Sequence, residues 1–511
     1  MERKLHFDDG MTARQSPQLT HRGFQMNTIA ISPPWNKRLN VILFLILTLT
    51  IMGIGCSDVD NKNTLGPERS THTCSDDIWT NISDAYTFTF PLMMMDATMK
   101  TSTNSETTTD RQAPVNQLIH MKRLANAKDR LVVTPNVDTI YSLAFFELSR
   151  DALVLRKPTT ERYCSMAVFD AYTNCAAMLG TGGDTQDERI YLITGPDFSG
   201  EAPANLKRVS IPTNNAWMIV RTIVKDEEDL DNVYAIQTEM KLVPLKAYMK
   251  DGFDYTPPKG EFREENNFIP VQHVLAMRPQ EYFSAANELM AVNPPVPEDA
   301  AILERMAKIN VGPGLLFEAS ILGCCAEQEW KAMIKGMRDK WLKDSAQFMQ
   351  KMGSWDYWGN PIAAFGTEYT YRALVALDGL GANPTSVAIY PKAETDNAGA
   401  PLDGKNAYTI RFDDPSPAGE YGFWSVTAYG KDNFLIDNEI NRYSINDRSG
   451  VKYNADGSLD ILLQPLPPED KTLMGNWLPV KAEPFHLYLR IYLPKSRVIS
   501  GEWPVPVIRP Q

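Results

Sequence analysis

Phe485-His486-Leu487-Tyr488-Leu489-Arg490-Ile491-Tyr492-Leu493 alternates between aliphatic residues and polar or aromatic ones. Side chains two apart share a face of a strand. Leu487, Leu489, Ile491 and Leu493 therefore point to one core, and His486, Tyr488, Arg490 and Tyr492 to the opposite face. Working backwards, strands are predicted at Tyr408–Phe412 and at 422–429. A hairpin is expected from 450–453, turning at Ala455-Asp456-Gly457, into 459–463. The last 150 residues thus read as one β-sandwich.

The first half repeats the pattern. Short runs at 131–133, 139–148, 153–155, 163–171, Ile190–Thr194 and 216–222 are separated by turn residues. Leu143-Ala-Phe-Phe146 is apolar on both parities, which predicts a strand covered on both faces. Between the halves the period changes. Leu230, Val233, Ile236 and Met240 form a helical stripe, and further helices are expected at 281–292, 298–309 and 327–352. In front, 76–99 reads as a helix interrupted at Pro91, and 114–125 as a second short one. The expected fold class is mainly β with a helical middle segment: two β-sandwich domains, the C-terminal one jelly-roll-like. The boundaries are 76–225, 226–355 and 356–511.

The chain has 511 residues, 43% hydrophobic and 22% charged, a globular composition with length for several domains. Its net charge of −12 excludes a general nucleic-acid binder, which needs clustered Lys and Arg to meet phosphates. Residues 1–55 differ from the rest. Lys37-Arg38 precede an apolar run from Val41 to Met52 and then Gly53-Ile54-Gly55-Cys56. This is the pattern of a bacterial export signal with a lipidation site at Cys56, and Met26 would open a more usual signal. The run is shorter than the ~20 residues a spanning helix needs, although an uncleaved anchor is the competing reading. Ser57 after the Cys leans towards the outer membrane, and 56–75 reads as a polar tether. Loss of 1–55, with six Lys/Arg and three Asp/Glu, takes the charge to −15. The remaining cysteines, Cys74, Cys164, Cys175, Cys324 and Cys325, form no CxxC and read as buried free thiols.

Several motifs occur in a fixed order: Ala85-Tyr86 with Phe90-Pro91-Leu92, Ala113-Pro-Val-Asn-Gln117, Pro135-Asn-Val-Asp-Thr-Ile-Tyr-Ser142 and Phe169-Asp-Ala-Tyr-Thr-Asn174. They resemble the bacterial domain-of-unknown-function family 1254. Phe423-Trp-Ser-Val-Thr427, Asn441-Arg-Tyr-Ser444, Asp447-Arg448, Asn476-Trp-Leu-Pro479 and Leu489-Arg-Ile-Tyr492 resemble its companion, family 1214. The resemblance implies an N-terminal sandwich, a helical segment and a C-terminal jelly roll. It implies no chemistry.

The chemistry must come from the residues. Asn136, Asp138 and Tyr141 place an amide, a carboxylate and a phenol at the mouth of a strand. With His120 they form a candidate acid/base set, against the plainer reading of an Asx-turn. His486, Tyr488, Arg490 and Tyr492 suit a stacked sugar or an anion, or are simply an outward sandwich face. Arg442, with Arg448 and Asp447 nearby, is an anion clamp or a loop pin. Asp170 and Asn174 join Asp138 in one pocket if their strands adjoin. Asn454-Ala-Asp456-Gly457-Ser-Leu-Asp460 lacks the ligand count of a calcium loop and reads as a turn. No metal site and no cofactor motif is expected. Three functions remain open. The first is an exported, lipid-anchored envelope protein binding a small polar or glycan-like molecule in an interdomain cleft. The others are an enzyme centred on Asp138 and a structural envelope protein making partner or homo-oligomer contacts.

Overall fold

The computed structural model describes residues 76–130, 133–183, 190–323 and 326–511. The export signal, Cys56, the tether, Cys74, Leu131, Val132, Asp184, Cys324 and Cys325 lie outside these.

The chain folds as two sandwiches and a helical layer. In the first sandwich one sheet has the order Ile119–His120, Thr139–Glu147, Asn215–Ile223, Cys164–Asp170, Cys175–Gly180, all antiparallel. The facing sheet orders Lys207–Ser210, Ile190–Thr194, Leu153–Arg156 and Lys241–Pro244. Ala144, Phe146, Met166, Val168, Met218 and Val220 from the first meet Leu153, Leu155, Tyr191 and Ile193 from the second. Each such side chain contributes roughly 1.5–3 kcal/mol by leaving water. The other face of the first sheet is covered too, by Met95 and Ala363 over Phe145, Phe169 and Trp217. That double covering is why Leu143–Phe146 is apolar on both parities. The helix Leu230–Glu239 and the strand Lys241–Pro244, beyond residue 225, belong to this sandwich through Ile236, Met240 and Leu242.

The second sandwich pairs a seven-stranded sheet with a four-stranded one. Its centre is Phe485–Pro494 against Ala418–Gly430, in register from Phe423↔Tyr492 to Gly430↔Phe485. Leu487, Leu489, Ile491, Trp424 and Val426 face Ile410, Phe412, Leu459, Ile461 and Leu463 of the smaller sheet. The fold class is the one the patterning predicts.

Four local expectations are corrected. The first helix, Asp76–Ser102, runs straight through Pro91. Phe88 to Met95 are all buried, Phe88, Phe90 and Leu92 to Met94 in the helical core and Met95 against the first sandwich, and that packing outweighs the roughly 3 kcal/mol a mid-helix proline costs. The 114–125 stretch is not helical. Asn116 has φ +62 and extends the sheet edge instead, its backbone N–H donating to Phe145 O (2.9 Å) and its amide bonding both N–H and C=O of Glu147. The long Trp/Met helix stops at Asp344, and Met349–Met352 turns back on Trp355–Trp358 as a hairpin. Residues 450–453 are not a strand. The 454–458 turn closes (Asn454 N–H to Ser458 O, 2.8 Å), but the strand Leu459–Gln464 pairs with Tyr408–Phe412 and Trp477–Pro479. Arg411 grips that turn through Asp456 (2.8 Å) and Asp460 (3.3 Å), so an arginine holds its carboxylates.

The helical layer draws in pieces from outside 226–355. The first helix and Tyr369–Asp378 pack with Pro279–Val292, Ala300–Ala307 and Ala326–Asp344 around Tyr86, Tyr282, Trp330 and Trp341. Among the described residues no helix is long and apolar enough to cross a membrane.

Candidate functional site at the seam of the two sandwiches

Asn136 forms the Asx-turn: its Oδ1 accepts from the N–H of Asp138 (2.6 Å) and of Thr139 (3.1 Å). This turn, however, does more than cap a strand. Asn136 Nδ2 donates to the Tyr492 hydroxyl at 2.5 Å. The Asp138 carboxylate has no exposed surface and accepts from Ser425 Oγ (2.6 Å), Asn446 Nδ2 (3.5 Å) and Arg448 Nη2 (3.5 Å). Pro135 O accepts from the Tyr429 hydroxyl (2.7 Å), and Thr134 O from Arg490 Nη2 (2.9 Å). Residues 134–138 of the first sandwich are thus seated on the second. They cover the face carrying Tyr492, Arg490, Ser425, Thr427 and Tyr429, which the cross-strand register brings together.

Alternation located that face correctly but not its surroundings: it is not turned to solvent. Arg490 is buried, donates to Tyr429 (2.7 Å) and Thr427 (3.1 Å), and lies over the rings of Tyr429 and Tyr488. His486 is buried beside Tyr429, and burial, then Lys392, lowers its pKa to about 4. It is a neutral imidazole at physiological pH.

A second arginine enters from the first sandwich. Arg221 sits opposite Tyr141 in the register and lies over its ring (5.5 Å). It donates to Asn383 Oδ1 (3.0 Å) and Gly381 O (2.9 Å). Gly381 has φ +81, and a Cβ there would meet Ile219 at 2.6 Å, so the close approach of this loop requires glycine. Asn383 in turn donates to the Tyr390 hydroxyl (3.0 Å), whose ring is edge-on to Tyr492. Burial raises the pKa of both Tyr390 and Tyr492, so each keeps its proton as a donor. No carboxylate among the described residues pairs with Arg221 or Arg490.

Other candidates lie elsewhere. His120 pairs in register with Ser142, four positions along the strand from Asp138, hence about 13 Å away at 3.3 Å per residue. Its Nδ1 bonds Ser142 Oγ (2.8 Å), and burial, then Lys122 and Lys241, lowers its pKa to about 4. Asp170 and Asn174 do not join Asp138. Their strand and that of Asp138 flank Asn215–Ile223 on opposite sides, and Asp170 pairs at Ala216 whereas Thr139 pairs at Ile223. Asp170 instead accepts from Asn174 Nδ2 (3.0 Å) and from the N–H groups of Tyr172 and Asn174. Arg442 bonds the carbonyls of Met474 and Trp477 and pins that loop. Cys164 and Cys175 are free, and burial pushes both up to about 11, away from reactive thiolate. Among the described residues no three His, Cys, Asp or Glu are grouped to hold a metal.

Sequence reasoning missed Arg221, Asn383, Tyr390 and Tyr429. None sits in a run with unusual composition; they meet only through strand register and one loop. Ser425 had a signal, being inside Phe423-Trp-Ser-Val-Thr427.

Comparison with known proteins gives families but no activity. No curated protein matches the chain. The VPA0106 protein of Vibrio parahaemolyticus, a solved structure, is 20% identical, with 84% of this chain and 99% of that one covered and a TM-score of 0.63. A putative uncharacterized protein from Burkholderia cenocepacia is 12% identical over 86% and 95%, with a TM-score of 0.40. Residues 115–244 match the family described as "Protein of unknown function (DUF1254)", and 387–496 match "Protein of unknown function (DUF1214)". Asn136, Asp138 and Arg221 fall in the first match, and Ser425, Arg448, Arg490 and Tyr492 in the second. The chain thus joins a DUF1254 region to a DUF1214 region, in that order, and the polar seam is made where the two meet.

Proposed function

We propose that this is an exported, lipid-anchored envelope protein that binds a small organic acid in the seam between its sandwiches. One observation carries the reading: Arg221 is buried with only neutral acceptors, in a ring of phenols from Tyr141, Tyr390 and Tyr492. A buried cation without a counter-charge is costly, and an anionic occupant removes that cost. Arg490 adds a second guanidinium, and the phenols add O–H donors suited to carboxylate oxygens. Asp138 is less suited to acid/base work, because its carboxylate is committed to Ser425, Asn446 and Arg448 and has no exposed surface.

The test is a thermal-shift series with mono- and dicarboxylic acids and with neutral glycans. An acid at 100 times its Kd is expected to add about 2.7 kcal/mol to stability. Arg221→Gln should weaken its binding tenfold or more. Equal shifts in the variant, or shifts from glycans alone, would count against the reading.

The anchor rests on the Lys37-Arg38, Val41–Met52 and Cys56 pattern. Cys56→Ser is expected to abolish fatty-acid labelling in a bacterial host and to shift the protein out of the membrane fraction. Labelling that survives the substitution would sink it.

A further inference from the structure

A third buried arginine lies away from the seam. Arg372, on the helix Tyr369–Asp378, is 2% exposed. Its guanidinium is boxed by three rings from three parts of the chain: Phe88 of the first helix (5.2 Å), Tyr172 of the first sandwich (5.4 Å) and Tyr369 (5.2 Å). Phe88 and Tyr172 are buried, so the half-buried Tyr369 is the wall nearest solvent. The faces of the cation are therefore occupied by π-systems. Its edge is not.

Nε and Nη2 of Arg372 are both buried and without a hydrogen-bond partner among the described residues. These two nitrogens form one side of the planar guanidinium, where two N–H bonds run parallel. That side matches the two oxygens of a carboxylate. Two unmade donors in a buried site are expensive, each on the order of 1–3 kcal/mol.

Two carboxylates act on the guanidinium from further off, Asp299 and Asp170, and neither is free to close the fork. Asp299 accepts from the Tyr369 hydroxyl (3.0 Å) and the Val296 N–H (3.2 Å). Asp170 is held by Tyr172 and Asn174. Burial raises the pKa of both, towards the neutral form, which leaves room for one more negative charge.

We propose that the Nε/Nη2 edge of Arg372 is a binding site for a small monocarboxylate, held bidentately within the Phe88, Tyr172 and Tyr369 box. The aromatic walls select a short apolar tail, and the parallel donors select a planar oxyanion. This site is separate from the seam and does not depend on the reading given to it.

Acetate is the probe. Crystals of the full chain grown with acetate are expected to show it on Nε and Nη2. Arg372→Lys retains the charge but not the fork, so acetate binding at this site, followed calorimetrically, should weaken at least tenfold. In crystals of Arg221→Gln, acetate should still occupy the Nε/Nη2 edge of Arg372, which separates this site from any monocarboxylate held at the seam. Ordered water alone on that edge, or Arg372→Lys binding acetate as the wild type does, overturns the proposal. Loss of organic-acid binding at the seam, with acetate still on Arg372, would instead bring down only the seam reading.

Discussion

Asp138→Ala is expected to destabilise the folded protein by about 3 kcal/mol, read as a lower midpoint in guanidinium denaturation. The carboxylate ties a turn of one sandwich to three donors of the other: Ser425, Asn446 and Arg448. Removing it strands the fully buried Ser425 hydroxyl and takes one counter-charge from Arg448. Arg448 retains Asp447, which is why the loss stays below the extreme for a wholly orphaned buried charge. Asp138→Asn keeps one acceptor oxygen and the volume, and should cost less. The double variant Asp138→Ala with Arg448→Met tests the coupling. If the two residues interact across the seam, the pair should lose less than the sum of the single losses. A change below about 0.5 kcal/mol for Asp138→Ala would mean that the seam is not a stabilising contact.

Trp341→Ala is the second large effect, about 3–5 kcal/mol, because it leaves a cavity that the helical layer cannot refill. Trp341 is 1% exposed, lies 4.9 Å from Phe90 and 6.1 Å from Tyr86, and donates Nε1–H to Thr87 Oγ1 (3.1 Å). All three partners are on the first helix, around Pro91. The packing that lets this helix run through a proline is therefore the packing that the substitution removes. Near-UV circular dichroism should lose intensity along with the unfolding midpoint. Trp341→Phe, which retains a ring but not the N–H, should fall between. Leu342→Ala, on the exposed side of the same helix at 39%, should stay within about 0.5 kcal/mol of wild type. Equal effects at 341 and 342 would contradict the assigned helix face.

The strands were legible because period-2 alternation survives wherever one face is a core. Phe485–Pro494, Tyr408–Phe412 and Thr139–Glu147 lie where the pattern places them. Local signals failed where a distant contact outbid them. Pro91 predicts a break, but Trp341, Tyr282 and Trp330 arrive from 190 to 250 residues away to bury that turn. Asn116 lies in a stretch that resembles a helix, yet its amide pairs with Glu147 at the sheet edge. For the site, Asn136, Asp138, Arg490 and Tyr492 could be named from sequence, and the structure brings these four together. Arg221 could not, since its meaning depends on Tyr141 opposite and on a loop 160 residues later.

By itself, then, the sequence determined which side chains of Phe485–Leu493 share a face and that both halves of the chain are sandwiches. Those follow from the two-residue repeat of a strand, which is a local geometric fact. The tertiary structure alone decided what lies over that face. Arg490 and Tyr492 are patterned as an outward surface, but the 134–138 turn is seated on them. The polar residues that would have met water meet another domain's carbonyls and amide instead. Alternation records sidedness, whereas the partner of a polar face depends on contacts between segments more than 300 residues apart.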